Sequence, residues 1–556
     1  MPGRLLPYGE RALLVEVDDL ATVLALHALV EREGPDGLVD VVPGARTVVL
    51  VAESRESLPP VRAVAQRALA LLSREGAPAE TVAAPGDPSM SPEVVQVPVH
   101  YDGDDLHDVA THTGLTPAQV VAAHTGRPWR VGFVGFAPGF AYLVGGDPRL
   151  RVPRRETPRP RVPAGAVALA DEFTGVYPRA SPGGWQLLGH TQVALWDLDR
   201  DPPALLRPGA QVRFTDAAHP DADVADDSAG AGAGADNASS AGPPTRTSLP
   251  GAAPARGPSG TGGPAGAPWL EVVDPGLLSL VQDAGRPGLA SLGVGPSGAA
   301  DRTAFALGAR LLGQTPSEAA VEVLGTLVVR AHGSLTAVVT GAPCPVLVGD
   351  RPVACNAPFL LPDGQVLRLG RPTAGLRTYL GVRGGLLAAG VLGSRSHDTL
   401  AGLGPPPLRA GDRLVVGPRR GDLLVDLAAV ASPVSGALEL DVLPGPHLHW
   451  LADLAQVGAQ TWTVAADSDR VGVRLAGGTL VRGPAHRDRE VPSQGLVRGA
   501  VQVPTDGAPV VFLADHPVTG GYPVVAVLTE RSADRAAQLV PGQEVRLRLL
   551  AERSHP

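Results

Sequence analysis

Lysine is missing from this chain altogether, so all 47 basic residues are arginine. That single absence removes several chemistries. No phosphate-cradling P-loop lysine exists, no Schiff base can form to a cofactor or substrate, and no lysine can serve as general base or carry covalent biotin. A composition bias that exchanges Lys for Arg explains the absence better than selection for function does, and the exclusions hold either way. Cysteine is scarce too. Cys344 and Cys355 stand alone with no CxxC spacing, which argues against a disulfide scaffold and a Cys-based zinc site. No apolar run approaches the roughly 20 residues that span a bilayer, and Met1–Tyr8 lacks the apolar core of a signal peptide, so no membrane association and a cytoplasmic location are expected. A formal charge of −9 lacks the basic footprint of a nucleic-acid partner. No nucleophile elbow, dinucleotide fingerprint, zinc signature or calcium loop is present. What remains is a chain of 556 residues, 44% hydrophobic, too long for one core and too apolar to be disordered overall.

Residues 215–268 are almost entirely Ala, Gly, Pro, Ser, Thr, Asp and Asn. Such a segment cannot bury enough apolar surface to offset its chain entropy. It reads as a disordered linker with an end-to-end distance of roughly 40 Å. Before it, residues 1–88 carry a small α+β pattern. Strands are expected at Ala12–Val17, Leu38–Val42 and Thr47–Val51, with helices at Leu20–Arg32 and Val61–Ser73. Residues 89–214 turn to short β-rich runs separated by Gly/Pro turns, as in barrels, interrupted by two short helices. The second opens on the capping box Thr116-Pro117-Ala118-Gln119. Residues 269–430 and 431–550 continue the β texture in two further parts. One short pattern recurs four times, at Leu206–Val212, Leu361–Val366, Leu408–Leu414 and Leu539–Val545. Each copy places a glycine turn before an alternating strand, and marks either an ordinary turn or an equivalent edge of related barrels.

Two regions concentrate residues suited to binding. In the first half, Phe136, Pro138 and Gly139 are followed by Pro163-Ala164-Gly165, Tyr177, Gly183-Gly184-Trp185 and His190. Glycines let backbone approach a ligand, prolines fix loop geometry, and much of the scarce aromatic supply (4% of the chain) gathers here. Rigid loops rich in backbone amides suit a planar amide or an anion; tight turns over an aromatic core would look the same. In the second half, Ser297 and Asp301-Arg302 precede a helix expected over Thr303–Leu312, whose positive end would attract a carboxylate or phosphate. Arg395, Asp469-Arg470, Gln494, His516 and Thr519-Gly520 with Tyr522 follow. His516 is the first candidate for general acid–base work, because an unperturbed imidazole titrates near neutrality. Asp301, Arg302 and Arg395 are the other catalytic candidates. Asp301 and Asp469 with Arg302, Arg395 and Arg470 either serve a ligand or pair among themselves.

These motifs resemble two families. Gly135–Leu143, Val162–Val167 and Ser181–Thr191 look like the allophanate hydrolase subunit 1 family, which includes the 5-oxoprolinase B component and Kip-type kinase inhibitors. Val281–Gly288, Pro296–Arg302, Gly393–Ser396, Ser468–Gly472, Ser493–Gly495 and His516–Pro523 look like the subunit 2 family, which includes the 5-oxoprolinase C component. The resemblance implies a mainly β fold of tandem cyclophilin-like β-barrels with a small α+β (ferredoxin-like) N-terminal subdomain. It also implies one of three roles. The first is ATP-dependent opening of a small amide, 5-oxoproline, with a separate A-type subunit, in which case the chain alone is inactive or weakly active. The second is carboxyl transfer in a urea amidolyase system, with the biotin carrier in trans. The third is inhibition of a sensor histidine kinase. The first is preferred, because the chain lacks biotin machinery. ATP enters by resemblance alone, with no residue assigned to it, and self-association is left open. Asp515-His516-Pro517-Val518 departs from the spacing that the family leads one to expect before Gly-Gly-Tyr-Pro. The reading requires the two halves to meet and form a pocket reached by both Trp185 and His516.

Overall fold

The computed structural model describes residues 3–75, 94–219 and 266–550, except 420–421, 424, 432–435 and 488. Most of the segment read as a linker, residues 220–265, lies outside the described residues. The strand Gln211–Asp216 continues two residues past position 214.

The chain opens with a four-stranded antiparallel sheet in the spatial order Arg4–Pro7, Ala12–Glu16, Thr47–Ala52, Leu38–Pro43. Helices Leu20–Glu33 and Leu58–Glu75 accompany it. Asp19 caps the first helix by accepting the Thr22 N–H at 2.8 Å, as short polar side chains do at this position. The run Ala12-Leu-Leu-Val15 does not alternate in polarity, and the packing shows why. Leu13 and Val15 face the two helices. Ala12 and Leu14 face the opposite way, into an apolar cluster shared with Ala290, Leu496, Phe512, Val518 and Val527 of the second half. A strand buried on both faces needs apolar residues at every position.

A seven-stranded sheet follows, in which Val94–Val99 pairs in parallel with Gln211–Asp216. It closes on itself through a two-residue bridge: His100 and His190 exchange backbone hydrogen bonds of 2.8 and 2.9 Å. After Pro268 come a six-stranded and a five-stranded sheet. Their inner faces share one core, with Leu270, Val329 and Leu367 from one sheet against Val321, Ala337 and Leu380 from the other. Leu438 to Leu549 then forms a closed seven-stranded barrel. Its first strand, Leu438–Pro444, again lies parallel to its last, Glu544–Leu549. The fold is therefore mainly β, built from closed and nearly closed barrels behind an α+β unit.

The recurring turn now has a structural meaning. Its glycines, Gly209, Gly364, Gly411 and Gly542, all adopt positive φ, between 73° and 89°, which an L side chain rarely tolerates. The copies at Leu206–Val212 and Leu539–Val545 each launch the last strand of a barrel, which pairs in parallel with its first strand. The copy at Leu408–Leu414 launches Arg413–Val415, which pairs antiparallel with the opening strand Trp269–Asp274. Among the described residues no helix is long and apolar enough to cross a membrane.

Candidate functional site

Where the N-terminal sheet meets the second half, a cavity of about 380 Å³ opens between three modules. Tyr8, Arg11 and Val42 line it from the first half, Arg302 from the middle module, and Arg498 and His516 from the closed barrel. Direct hydrogen bonds fix this junction. The Tyr8 hydroxyl donates to the Gly495 carbonyl at 3.2 Å. Asp40 accepts the Gly288 and Ala290 N–H groups at 2.8 and 3.0 Å. Glu10 accepts the Glu530 N–H at 2.7 Å, and Arg11 Nε donates to Glu530 at 3.1 Å.

His516 is 5% exposed. Its Nδ1 lies 2.9 Å from the Pro517 carbonyl oxygen. A carbonyl can only accept, so the neutral ring carries its proton on Nδ1 and leaves Nε2 as an acceptor. Burial depresses the imidazole pKa to about 4, so the ring stays neutral around pH 7. The helix beside it runs Arg302–Leu311. Asp301 caps it by accepting the Ala304 N–H at 2.9 Å, and also accepts from Gln538 Nε2 at 2.7 Å. Burial, reinforced by the nearby Asp534 carboxylate, pushes Asp301 up to about 6. The helix N-terminus that the sequence offers to an external anion is already filled. Asp534 accepts the N–H groups of Arg302 and Thr303 at 3.1 and 3.2 Å, and the Thr303 hydroxyl as well.

Several other candidates hold modules together. Arg470 is 3% exposed. It donates to Asp515 from Nε and Nη2 at 2.9 and 3.0 Å and to the Gly298 carbonyl at 2.6 Å, and it also pairs with Glu322. Burial raises the cost of ionising Asp515 and Glu322, but the Arg470 guanidinium outweighs it and keeps both carboxyls below their usual range. Ser297, held at φ 50°, donates to Asp515 at 2.7 Å. This ionic hub pins the closed barrel to the two-sheet module. Asp469 accepts the N–H groups of Val471 and Gly472 and shapes its own turn. The Arg395 N–H goes to Asp283 at 2.6 Å, and Arg395 is absent from the cavity wall.

The first-half candidates form a different surface. Trp185, Phe140, Tyr142 and Tyr177 pack edge to face, with Phe140 5.4 Å from Trp185 and 5.2 Å from Tyr177 between ring centroids. Burial pushes the Tyr142 and Tyr177 hydroxyls up to about 12. Phe136 sits at φ 64° and 36% exposed, at the start of a loop that runs through Pro138 to Gly139. That loop abuts the second half: Gly139 N–H donates to the Leu292 carbonyl at 3.1 Å, and a side chain at Gly135 would strike Thr519. In the Pro163-Ala164-Gly165 turn, Gly165 donates to the Tyr177 carbonyl at 2.7 Å. Gly183 lies against the Tyr177 phenol, where a Cβ would collide, and the Gly184 carbonyl accepts the Arg155 N–H. His190 is stacked on His100 and bonded to Asp102 at 2.8 Å. Across the junction, Gln494–Gly495 pairs with Thr519–Gly520, Gln494 reaches the Tyr522 carbonyl at 3.4 Å, and Tyr522 is 38% exposed. The shared pocket expected from the sequence thus differs in one respect. Both halves wall the cavity that holds His516, but Trp185 lies in the aromatic cluster and not on that wall.

Tyr8, Arg11, Asp40, Arg498 and Glu530 escape sequence reading. They stand singly, with no motif around them, and only the docking of modules gives them a common purpose. Among the described residues no group of three His, Cys, Asp or Glu is placed to hold a metal ion.

Two family models divide the chain between them. "Carboxyltransferase domain, subdomain C and D" matches residues 3–206 and "Carboxyltransferase domain, subdomain A and B" matches residues 292–549. The chain belongs to this carboxyltransferase-domain family. Its first half is similar to the B component of 5-oxoprolinase from Escherichia coli O157:H7, 39% identical over 216 residues, which are 37% of this chain and 92% of that protein. Its second half is similar to the C component of 5-oxoprolinase from Escherichia coli K12, 34% identical over 282 residues, which are 50% of this chain and 89% of that protein. The crystal structure of TTHA0988 matches at 33% identity and a TM-score of 0.76, covering 97% of this chain and 99% of that one.

Proposed function

We propose that this chain unites the B and C components of an ATP-dependent 5-oxoprolinase, which opens 5-oxoproline to glutamate together with a separate A-type subunit. One observation carries the reading. Each half resembles one named component over about nine-tenths of that component's length, and the two halves jointly wall one cavity. The chemistry asks for such a site. A lactam is a poor electrophile. Transfer of the terminal phosphoryl group of ATP to its amide oxygen activates the ring carbon, water adds there, the ring C–N bond breaks as the nitrogen takes up a proton, and a second water hydrolyses the resulting acyl phosphate to glutamate and inorganic phosphate. Water must lose a proton as it attacks. His516 is neutral with Nε2 free to accept one, which suits it to that task. No residue of this chain is assigned to the nucleotide, and activity is expected to require the A-type subunit.

The test is co-purification with a candidate A-type subunit and measurement of 5-oxoproline-dependent ADP release. A folded complex without turnover overturns the proposal. The family's name favours a second reading, carboxyl transfer from carboxybiotin. With no lysine to bear biotin, the chain would then work on a carrier supplied in trans. Transfer of label from a carboxylated carrier protein to an amide acceptor, without ADP release, would select that reading.

A further inference from the structure

We propose that the junction cavity is a recognition site for a small carboxylate with an apolar body, its carboxylate paired with Arg302 beside the buried charge of Arg498. That the natural ligand is 5-oxoproline rests on the function proposed above; the site itself does not. A volume of about 380 Å³ falls within the range of about 300–1,000 Å³ typical of small-molecule sites. Much of the wall is apolar, with Val42, Val294, Leu496, Val518 and Val527, and suits an aliphatic ring.

The polar end is marked by cationic charge that the protein leaves incompletely paired. The Arg498 side chain is only 4% exposed. Its Nη2 donates to the Ala300 carbonyl at 2.8 Å and to Asp534 at 2.6 Å, but Nε and Nη1 have no hydrogen-bond partner among the described residues. Buried guanidinium donors are expensive to leave unpaired. The nearest carboxylate to Nη1, on Glu530, stands at 3.5 Å, and the same carboxylate is 3.9 Å from Arg302. Both distances are too long for a good hydrogen bond. Arg11 draws Glu530 the other way, at 3.1 Å. Arg302 keeps 33% of its side chain accessible on the cavity wall and makes no closer ion pair among the described residues. Burial, then the neighbouring Arg498 charge, lowers Arg302 to about 10, and a bound anion favours its charged form.

Of the four other carboxylates on the wall, Glu10, Asp40, Glu53 and Asp283, three are committed. Asp40 serves Gly288 and Ala290, Asp283 serves Ser394, Ser396 and Arg395, and Glu10 serves Glu530. Their presence disfavours a second negative charge, so a monoanionic carboxylate fits better than a phosphate dianion.

Titration calorimetry on the full chain, alone and in complex with the A-type subunit, tests this with three probes: 5-oxoproline, 2-pyrrolidinone (the same ring without a carboxylate) and inorganic phosphate. We expect saturable 5-oxoproline binding, with pyrrolidinone and phosphate weaker by roughly tenfold or more, the scale of a charge-assisted hydrogen bond. Arg302→Gln should lose binding to a similar extent without a change in melting temperature, and Arg302→Lys should recover part of it. Pyrrolidinone or phosphate binding as tightly as 5-oxoproline, no binding in either preparation, or unaltered binding in Arg302→Gln would overturn the site. The two proposals fail separately. Arg302-dependent carboxylate binding without ADP release would sink the oxoprolinase reading and leave the site standing. ADP release with an unchanged KM in Arg302→Gln would do the reverse.

Discussion

At the scale of single residues, burial and partners separate chemistry from scaffolding. His516 and Arg470 both stand out in the sequence as site candidates, yet their surroundings differ. His516 has one ring nitrogen committed and the other free beside a cavity. We expect His516→Ala to lower turnover of the assembled enzyme by about 10²–10⁴-fold, the usual contribution of a general acid or base, while leaving its circular dichroism unchanged. With its pKa near 4, His516 should give no limb in the pH–rate profile between pH 5 and 8. Arg470 instead has its donors committed to Asp515, Glu322 and a carbonyl. Arg470→Met should cost about 3–5 kcal/mol in denaturant unfolding, because it strands two buried carboxylates. Buried histidines also set an acid limit. His27, His447 and His516 are lowered to about 4 and His124 to about 3, in each case chiefly by burial. In the unfolded chain they protonate below about pH 6.5, so the unfolded state binds more protons. Stability is therefore complete above that value and declines as pH falls toward 4, which thermal melts across the interval will show.

At the scale of elements, periodicity and caps are legible in the sequence and docking is not. The helix expected over Leu20–Arg32 forms at Leu20–Glu33, and the capping box at Thr116 and Gln119 makes both of its reciprocal bonds. These features depend on local chemistry, so local sequence reveals them. The recurring glycine turn is visible as a pattern, but its place before the last strand of a barrel depends on a partner more than a hundred residues away. The start of the helix Arg302–Leu311 misleads for the same reason, since its own chain supplies the anion, from Asp534. The Gly135–Gly139 loop offers an element-scale test. Gly135→Ala forces a methyl into Thr519 and should destabilise by about 1–3 kcal/mol, as overpacking does. The loss should register as weaker association when residues 1–219 and 266–556 are supplied as separate chains.

At the scale of the whole molecule, the family resemblance makes the barrels and the two-half organisation readable, whereas the position of the cavity is not. Motif density points to a meeting place near Trp185. The cavity instead uses the plain face of the N-terminal sheet, whose Tyr8, Ala12 and Leu14 continue into the apolar cluster with Leu496 and Val527. Separate chains 1–219 and 266–556 should restore most activity in a concentration-dependent manner, because a tether mainly raises effective concentration. Failure at saturating concentration would give the intervening segment a further role. Joint ownership of the cavity wall also constrains how this protein can change. A substitution at Tyr8 alters the surroundings of Val527, so positions some five hundred residues apart must vary in concert. Hybrids that combine one half of this chain with the counterpart half from a distant relative should therefore assemble poorly, even when each half folds well in its native company.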